Sequence, residues 1–234
     1  MPDRLSRVVA ALDFRNGGDA LRFVKLAGEE LLWCKVGMQL FTREGPLIIE
    51  ELKRLNKKVF LDLKFHDIPN TVAGAVRSAV SHGVDMLTVH ASGGADMLKA
   101  AVSESKERGT KIVAVTVLTS LTEADLGFFG PVGSVSSLVL RLTELSLQSG
   151  ADGIVCSPLE VALLKKKFGS GFIAVTPGVR LPGDDAADQK RVTTPEEAFD
   201  AGADFIVMGR SLTGADDPRK RLLSIFGPAG NFKA

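Results

Sequence analysis

What this sequence has little of already narrows what it can be. Among 234 residues there are two cysteines, Cys34 and Cys156. They sit in the apolar runs LLWCKVG and DGIVCSP, with no CxxC partner and no metal-ligand spacing. That pattern excludes a disulfide scaffold and predicts two buried free thiols in a reducing cytoplasm. An excess of charge of one sign is also missing. A formal net charge of +1 provides no global field to attract nucleic acid or an anionic membrane. No apolar stretch approaches the ~20 residues that a membrane span needs. The run Val8 to Leu12 is closed by Asp13, too short for a signal peptide. GxGxxG, P-loop, HExxH and EF-hand patterns are all absent, so neither a dinucleotide nor a metal site is expected.

What is present is an alternation. Hydrophobic residues make up 45% and charged ones 24%, and a core of this size needs no covalent staples. Eight β-rich apolar runs recur: RVVAALDF, LLWCKVGM, KVFLDLKF, VDMLTVHA, KIVAVTVLTS, ADGIVCS, GFIAVTPGVR and ADFIVMGRS. Helix-like segments follow them, among them PLIIEELKRLN, whose Leu47, Ile48, Leu52 and Leu55 keep the 3.6-residue period. Gly83, Gly109, Gly150, Gly169 and Gly202 stand where helices end and the next strand begins. Runs apolar on both faces imply a parallel sheet covered by helices. Eight βα units in this length predict a single-domain (β/α)8 TIM barrel over residues 1–234. The rival is a doubly wound open sheet, which would need fewer strands. No linker or low-complexity segment divides the chain, which reads as a stand-alone domain.

In such a barrel, chemistry gathers at the C-terminal strand ends. Those ends carry Asp13, Lys35, Asp62 with Lys64, His90, Thr119 with Ser120, Arg180, and Gly209 with Arg210. The N-terminal ends are expected to carry little comparable chemistry. By the period of two, Leu61 and Leu63 face the helices while Phe60, Asp62 and Lys64 face the barrel axis. Asp13 and Lys35 come from the two preceding strands, so four charges can converge. They could form a salt-bridge cluster that only fixes the core. Buried ion pairs seldom stabilise more than apolar packing would, however, and a charged barrel mouth points to function. Asp67, in DIPN, reads as a helix N-cap that is free to serve a second role. His66 and His90 read more readily as structural than as catalytic, and His82 as a surface residue. Asp62 and Asp67 are spaced to hold Mg²⁺, but Lys64 between them competes for the same charge. The segment TPGVRLPGDDAADQKRVTTPEEA reads as a lid. GRSLTGADDP, after the eighth strand, reads as a phosphate site built on Gly209 and Arg210.

These motifs together resemble orotidine 5′-phosphate decarboxylase of the bacterial type. FLDLKFHDIPNTV resembles its signature, and ALDF, KVG, VHASGG, AVTVLTS, VTPGVR and GR resemble its other strand motifs. The similarity runs nearly end to end. It implies decarboxylation of orotidine 5′-phosphate to UMP in a cytoplasmic homodimer with shared active sites and no cofactor or metal. It implies Lys64 as proton donor in a charge network with Asp62, Lys35 and Asp67. Asp67 and Thr71 would come from the other subunit. Asp13 and Lys35 would bind the ribose hydroxyls, and Thr119 the pyrimidine. Arg180, Gln189, Gly209 and Arg210 would hold the phosphate. The alternative is a metal-dependent sugar-phosphate lyase or epimerase on a related barrel, where a DxKxxD-like motif also occurs. A third possibility is a phosphate-binding barrel without turnover.

Overall fold

The computed structural model describes residues 4–127, 133–181 and 193–226. Eight strands run in chain order around a closed barrel: β1 Val8–Ala11, β2 Trp33–Gly37, β3 Lys58–Phe65, β4 Met86–His90, β5 Lys111–Val115, β6 Gly153–Val155, β7 Ile173–Thr176 and β8 Phe205–Met208. All neighbours are parallel, and β1 pairs with both β2 and β8 to close the ring. The (β/α)8 barrel is therefore as expected. The strand runs are apolar on both faces because each face has its own core. Val8, Ala10, Cys34, Val36, Val59, Leu61, Leu87 and Val89 pack outward against helices. The alternate residues Val9, Ala11, Phe60, Met86, Val113, Val175 and Val207 fill the inside. Trp33 and Phe205 meet edge-on there at 5.1 Å.

The helices are α1 Gly17–Ala27, α2 Met38–Glu44, α3 Leu47–Arg54, α4 Pro69–Ser81, α5 Gly94–Ser105, α6 Glu123–Leu126, α7 Val135–Gln148, α8 Pro158–Phe168, α9 Pro195–Asp200, α10 Arg210–Thr213 and α11 Pro218–Leu223. Short α2, α6 and α10 were not expected. Helices α2 and α10 start directly after a strand-end glycine, so each hides in the tail of a strand run. The buried face of α3 is Ile48, Ile49 and Leu52, while Leu47 is 68% exposed. Leu47 follows Pro46 as the first helical residue and points away from the barrel, which corrects the sequence reading. No described helix is long and apolar enough to cross a membrane.

The N-terminal rim carries more charge than the sequence reading allowed, and its use is structural. A Gly-x-Asp repeat recurs at Gly83–Asp85, Gly150–Asp152 and Gly202–Asp204, before β4, β6 and β8. Each glycine has a positive φ (79°, 88° and 101°), which turns the helix end into the strand. Each aspartate then accepts a backbone N–H from the preceding strand: Val59 at 2.8 Å, Ile112 at 2.9 Å and Ala174 at 2.8 Å. Each also holds a lysine: Lys53 and Lys58 on Asp85, Lys111 on Asp152 and Lys165 on Asp204. These staples tie odd strands to even ones at the end of the barrel remote from the cavity.

Burial works to raise the pKa of Asp85. It is outweighed by hydrogen bonds from Lys53, the Val59 N–H and Lys58, which hold the carboxyl below its ordinary value. A depressed folded pKa gives stability that is present above the unfolded value and lost as pH falls through the folded one. Asp85→Ala is expected to cost about 2 kcal/mol at neutral pH, or roughly 4–8 °C in Tm. The gap to the parent protein should narrow below about pH 4. Thermal melts across pH measure this, and a gap independent of pH would refute it.

Candidate active site

The opposite rim builds a cavity of about 260 Å³. One side is charged. Asp13 lies just past β1, Lys35 lies in β2, and Asp62 and Lys64 lie in β3. Lys35 Nζ sits 3.3 Å from Asp13 Oδ1 and 3.5 Å from Asp62 Oδ2. Lys64 Nζ donates to Asp62 Oδ1 at 2.8 Å. The four expected charges therefore alternate in one row: Asp13, Lys35, Asp62, Lys64. The other side is apolar and is formed by Val115, Val117, Leu118, Val155, Pro177 and Val207. Thr119, beyond β5, also lines the cavity.

The path of β3 explains how Asp62 and Lys64 reach the same mouth. Phe60 and Leu61 pair with Met86 and Leu87, but the next partner pair is Phe65 with Val89. Four residues of β3 thus span two of β4, which is a bulge. Inside it Lys64 takes a left-handed backbone, φ 52°, rare for a residue with a side chain. Simple alternation predicts the correct face but not this bulge. The freed Lys64 N–H donates to Thr88 Oγ1 at 2.8 Å, and that hydroxyl donates to Asp62 Oδ1 at 3.1 Å. Burial alone would push the Asp62 carboxyl up. The ammoniums of Lys35 and Lys64, and hydrogen bonds from Lys64 and Thr88, hold it below the usual carboxylate range.

Gly37, the glycine of KVG, closes β2 beside this row. A Cβ built there would lie 2.9 Å from both Asp13 Oδ1 and Lys35 Nζ. No other side chain fits without moving that ion pair. Gly37→Ala is expected to lower kcat/KM by about 10²-fold, the scale of a displacement of roughly 1 Å in a catalytic array. The fold should survive, because the residue keeps an ordinary extended φ of −92°. Activity within threefold of the parent would show that the row tolerates the shift.

A second hollow of about 410 Å³ adjoins the first, lined by Asp13, Gln39, Arg180, Gly209, Arg210 and Thr213. Arg180 is buried and lines both spaces, with Nη1 donating to the Val179 carbonyl at 3.0 Å. Its main-chain N–H bonds to Thr193, and Val179 bridges Thr193, so the flanks of the long β7 loop meet at this wall. Gly209 stands before α10. A Cβ there would meet nothing nearer than Ala11 Cβ at 3.9 Å, so its bare backbone keeps the wall open. Gln39 was not singled out from sequence because it lies on α2, the helix that went unread.

Two expected site residues stand apart on this chain. Asp67 and Thr71 belong to the exposed run 66–71, and neither lines the cavity. Asp67 Oδ1 accepts the Ile68 N–H at 2.7 Å, but the N-cap of α4 is Ile68, with Pro69 as the first helical residue. The N-cap reading of Asp67 is thus off by one, because proline can begin the helix without an N–H to cap. Gln189, and most of the segment read as a lid, lie outside the described residues. The His66 and His90 ring centres lie 5.3 Å apart with the planes tilted by 45°, and Ser92 Oγ lies 3.5 Å from His66 Nε2. Burial, then His66 and Lys64, push the His90 pKa down, so neutral imidazole is favoured there. Both cysteines are buried and free, and burial pushes the Cys34 thiol up to about 12.

This geometry coincides with a family match. The model of the Orotidine 5′-phosphate decarboxylase / HUMPS family matches residues 6–225. The chain belongs to that family. The matched stretch begins before β1 and ends after α11, and it contains every site residue named above. Among similar curated proteins is the orotidine 5′-phosphate decarboxylase of Maridesulfovibrio salexigens, 48% identical over 92% of this chain and 94% of that one. The enzyme of the same name from Anaeromyxobacter sp. strain K is 50% identical over 91% and 93%. Among solved structures, the orotidine 5′-phosphate decarboxylase of Lactobacillus acidophilus superposes with a TM-score of 0.81 at 36% identity, covering 93% of this chain and 96% of that one.

Proposed function

We propose that this chain decarboxylates orotidine 5′-phosphate to UMP, a step of pyrimidine nucleotide biosynthesis, in the cytoplasm and without metal or cofactor. The names of its relatives support the substrate. The observation that carries the chemistry is the Lys64 ammonium, held on Asp62 at 2.8 Å inside a cavity that is charged on one side and apolar on the other. Breaking the bond between C6 and the carboxylate releases CO₂ and leaves its electron pair on C6. No carbonyl is placed to delocalise that pair, so the site must stabilise it electrostatically. The Lys64 ammonium does so and then delivers a proton to C6, completing UMP. At ~4 Å and an effective dielectric near 20, one such pair is worth roughly 4 kcal/mol. That is about three powers of ten in rate, so binding energy from elsewhere must supply the rest.

The remaining roles are those the family resemblance implies, and the positions of the residues support them. Asp13, which lines both hollows, and Lys35 beside it take the ribose hydroxyls. The pyrimidine lies against the apolar side and Thr119. Arg180, Gly209 and Arg210 hold the phosphate in the second hollow; Gln189, expected to join them, lies outside the described residues. Asp62 faces the substrate carboxylate, and that repulsion is relieved as CO₂ departs.

The decisive assay follows loss of orotidine 5′-phosphate absorbance by the purified chain, with and without EDTA. Turnover unaffected by EDTA is expected. Turnover lost to EDTA and restored by a divalent ion would favour a metal-dependent sugar-phosphate lyase or epimerase instead. Against that reading, both Asp62 oxygens already face ammoniums, Oδ1 on Lys64 and Oδ2 on Lys35. Binding of UMP with no turnover would mark a phosphate-binding barrel.

The proposal includes a homodimer with shared sites. Asp67 and Thr71 are exposed on one chain, Ile68 between them is 66% exposed, and Asp67 makes no ion pair among the described residues. Docking a second copy there would bring Asp67 to the partner's Lys64. Mixing Lys64→Ala with Asp67→Ala chains should recover activity, because each hybrid dimer contains one intact site. Hybrids that demonstrably form yet stay inactive would place each site within one chain.

A further inference from the structure

We propose that Thr88 is a positioning residue for Lys64, a role that rests on Lys64 being the acid of the reaction proposed above. Thr88 sits in β4 and is fully buried, and no atom of it lines the cavity. Its hydroxyl nevertheless touches the charged row twice. It accepts the Lys64 N–H at 2.8 Å and donates to Asp62 Oδ1 at 3.1 Å. Asp62 Oδ1 in turn accepts from Lys64 Nζ at 2.8 Å. The result is a closed ring: Lys64 backbone, Thr88 hydroxyl, Asp62 carboxylate, Lys64 ammonium. One hydroxyl therefore holds both ends of the lysine.

The ring sits at the bulge of β3 against β4. Between Leu61 and Phe65, β3 has lost its register with β4, so the Lys64 N–H is out of the ladder. The left-handed φ of 52° is a conformation that a residue with a side chain keeps only when its surroundings enforce it. Thr88 supplies that enforcement and hands the same hydroxyl proton to the carboxylate that aims the ammonium. Valine has nearly the same shape and would fill the space, but would leave a buried N–H unpaired and one Asp62 lone pair unfilled. A hydroxyl that merely satisfied the core would matter to melting alone. A hydroxyl that positions Lys64 matters to the proton transfer.

The experiment compares Thr88→Val and Thr88→Ser in the full-length protein, reading single-turnover decarboxylation, KM and thermal melting. Thr88→Val is expected to slow the single-turnover rate by about 10–100-fold, with KM within about threefold of the parent, since misplacement rather than lost binding is the cause. Thr88→Ser keeps the hydroxyl and should return the rate to within about threefold. Should the valine variant not fold, Thr88→Cys replaces it. A thiol matches the serine in shape but is a weak donor and acceptor, so a rate about tenfold below that of serine is expected. A valine or cysteine variant as fast as the parent would overturn the proposal. So would a loss confined to KM, or a loss that serine fails to rescue. If Lys64→Ala itself stays active, the assignment of the acid is what has failed. If Lys64 proves essential and Thr88→Val is fast, only the role of Thr88 is lost.

Discussion

Lys64→Ala is expected to lower kcat/KM for orotidine 5′-phosphate by about 10⁴-fold or more, the combined scale of a lost electrostatic partner and a lost proton donor. The ammonium sits 2.8 Å from Asp62 on the charged side of the cavity, and Lys64 does not line the second hollow where Arg180 and Arg210 meet. Its loss should therefore spare the phosphate contacts, and UMP affinity should change by less than about tenfold, as a residue acting only on the reacting carbon requires. Single-turnover assays at high enzyme concentration, with UMP binding by calorimetry, measure both quantities. A variant retaining a tenth of the parent's activity would remove Lys64 from the mechanism. Lys64→Arg should not rescue, because a planar guanidinium cannot replace a compact ammonium whose proton must reach one carbon.

Asp62→Ala is the second large effect, and it acts on stability and activity together. Among the described residues, Asp62 is the only carboxylate between the Lys35 and Lys64 ammoniums, contacting them at 3.5 Å and 2.8 Å. Removing it leaves two like charges facing one another in a mostly buried site. A loss of about 3 kcal/mol is expected, or roughly 6–12 °C in Tm. Activity should fall by about 10³-fold, because nothing then aims Lys64. Substrate binding should fall less than turnover, since in the proposed mechanism the lost carboxylate faces the substrate's own carboxylate. Asp62→Asn separates charge from shape. The folded Asp62 carboxyl is held below its ordinary value, so its contribution to stability is full above the unfolded pKa and lost as pH falls through the folded one. The asparagine variant should lack that acid-side loss. An Asp62→Ala protein as stable and active as its parent would mean that the row is not coupled.

The effects at Gly37, Lys64, Asp62 and Thr88 belong to one network, so they should not add. Double variants such as Thr88→Val with Asp62→Asn are expected to be less impaired than the product of the single losses, the signature of residues acting as a unit.

The barrel and the four charges of the row were legible along the chain. Apolar runs separated by helical periods leave few architectures open to a chain of this length, and the period of two puts Asp62 and Lys64 on one face with no structure needed. Lys35 and Asp13 followed as the ends of the two neighbouring strands. Those signals are local, and local geometry carries them. Tertiary structure alone decided the rest, because it depends on residues brought together from distant positions. The bulge in β3 shows only when Phe65 is found opposite Val89. The ring through Thr88 joins positions more than twenty residues apart. The crowding at Gly37 exists only once Asp13 and Lys35 meet beside it. Of the Gly-x-Asp staples only the glycines were read, as helix ends; the aspartates accept an N–H from another strand, which no window along the chain contains. Asp67 is the converse case: its carboxylate stands outside the row on one chain, and only the proposed dimer would bring it in.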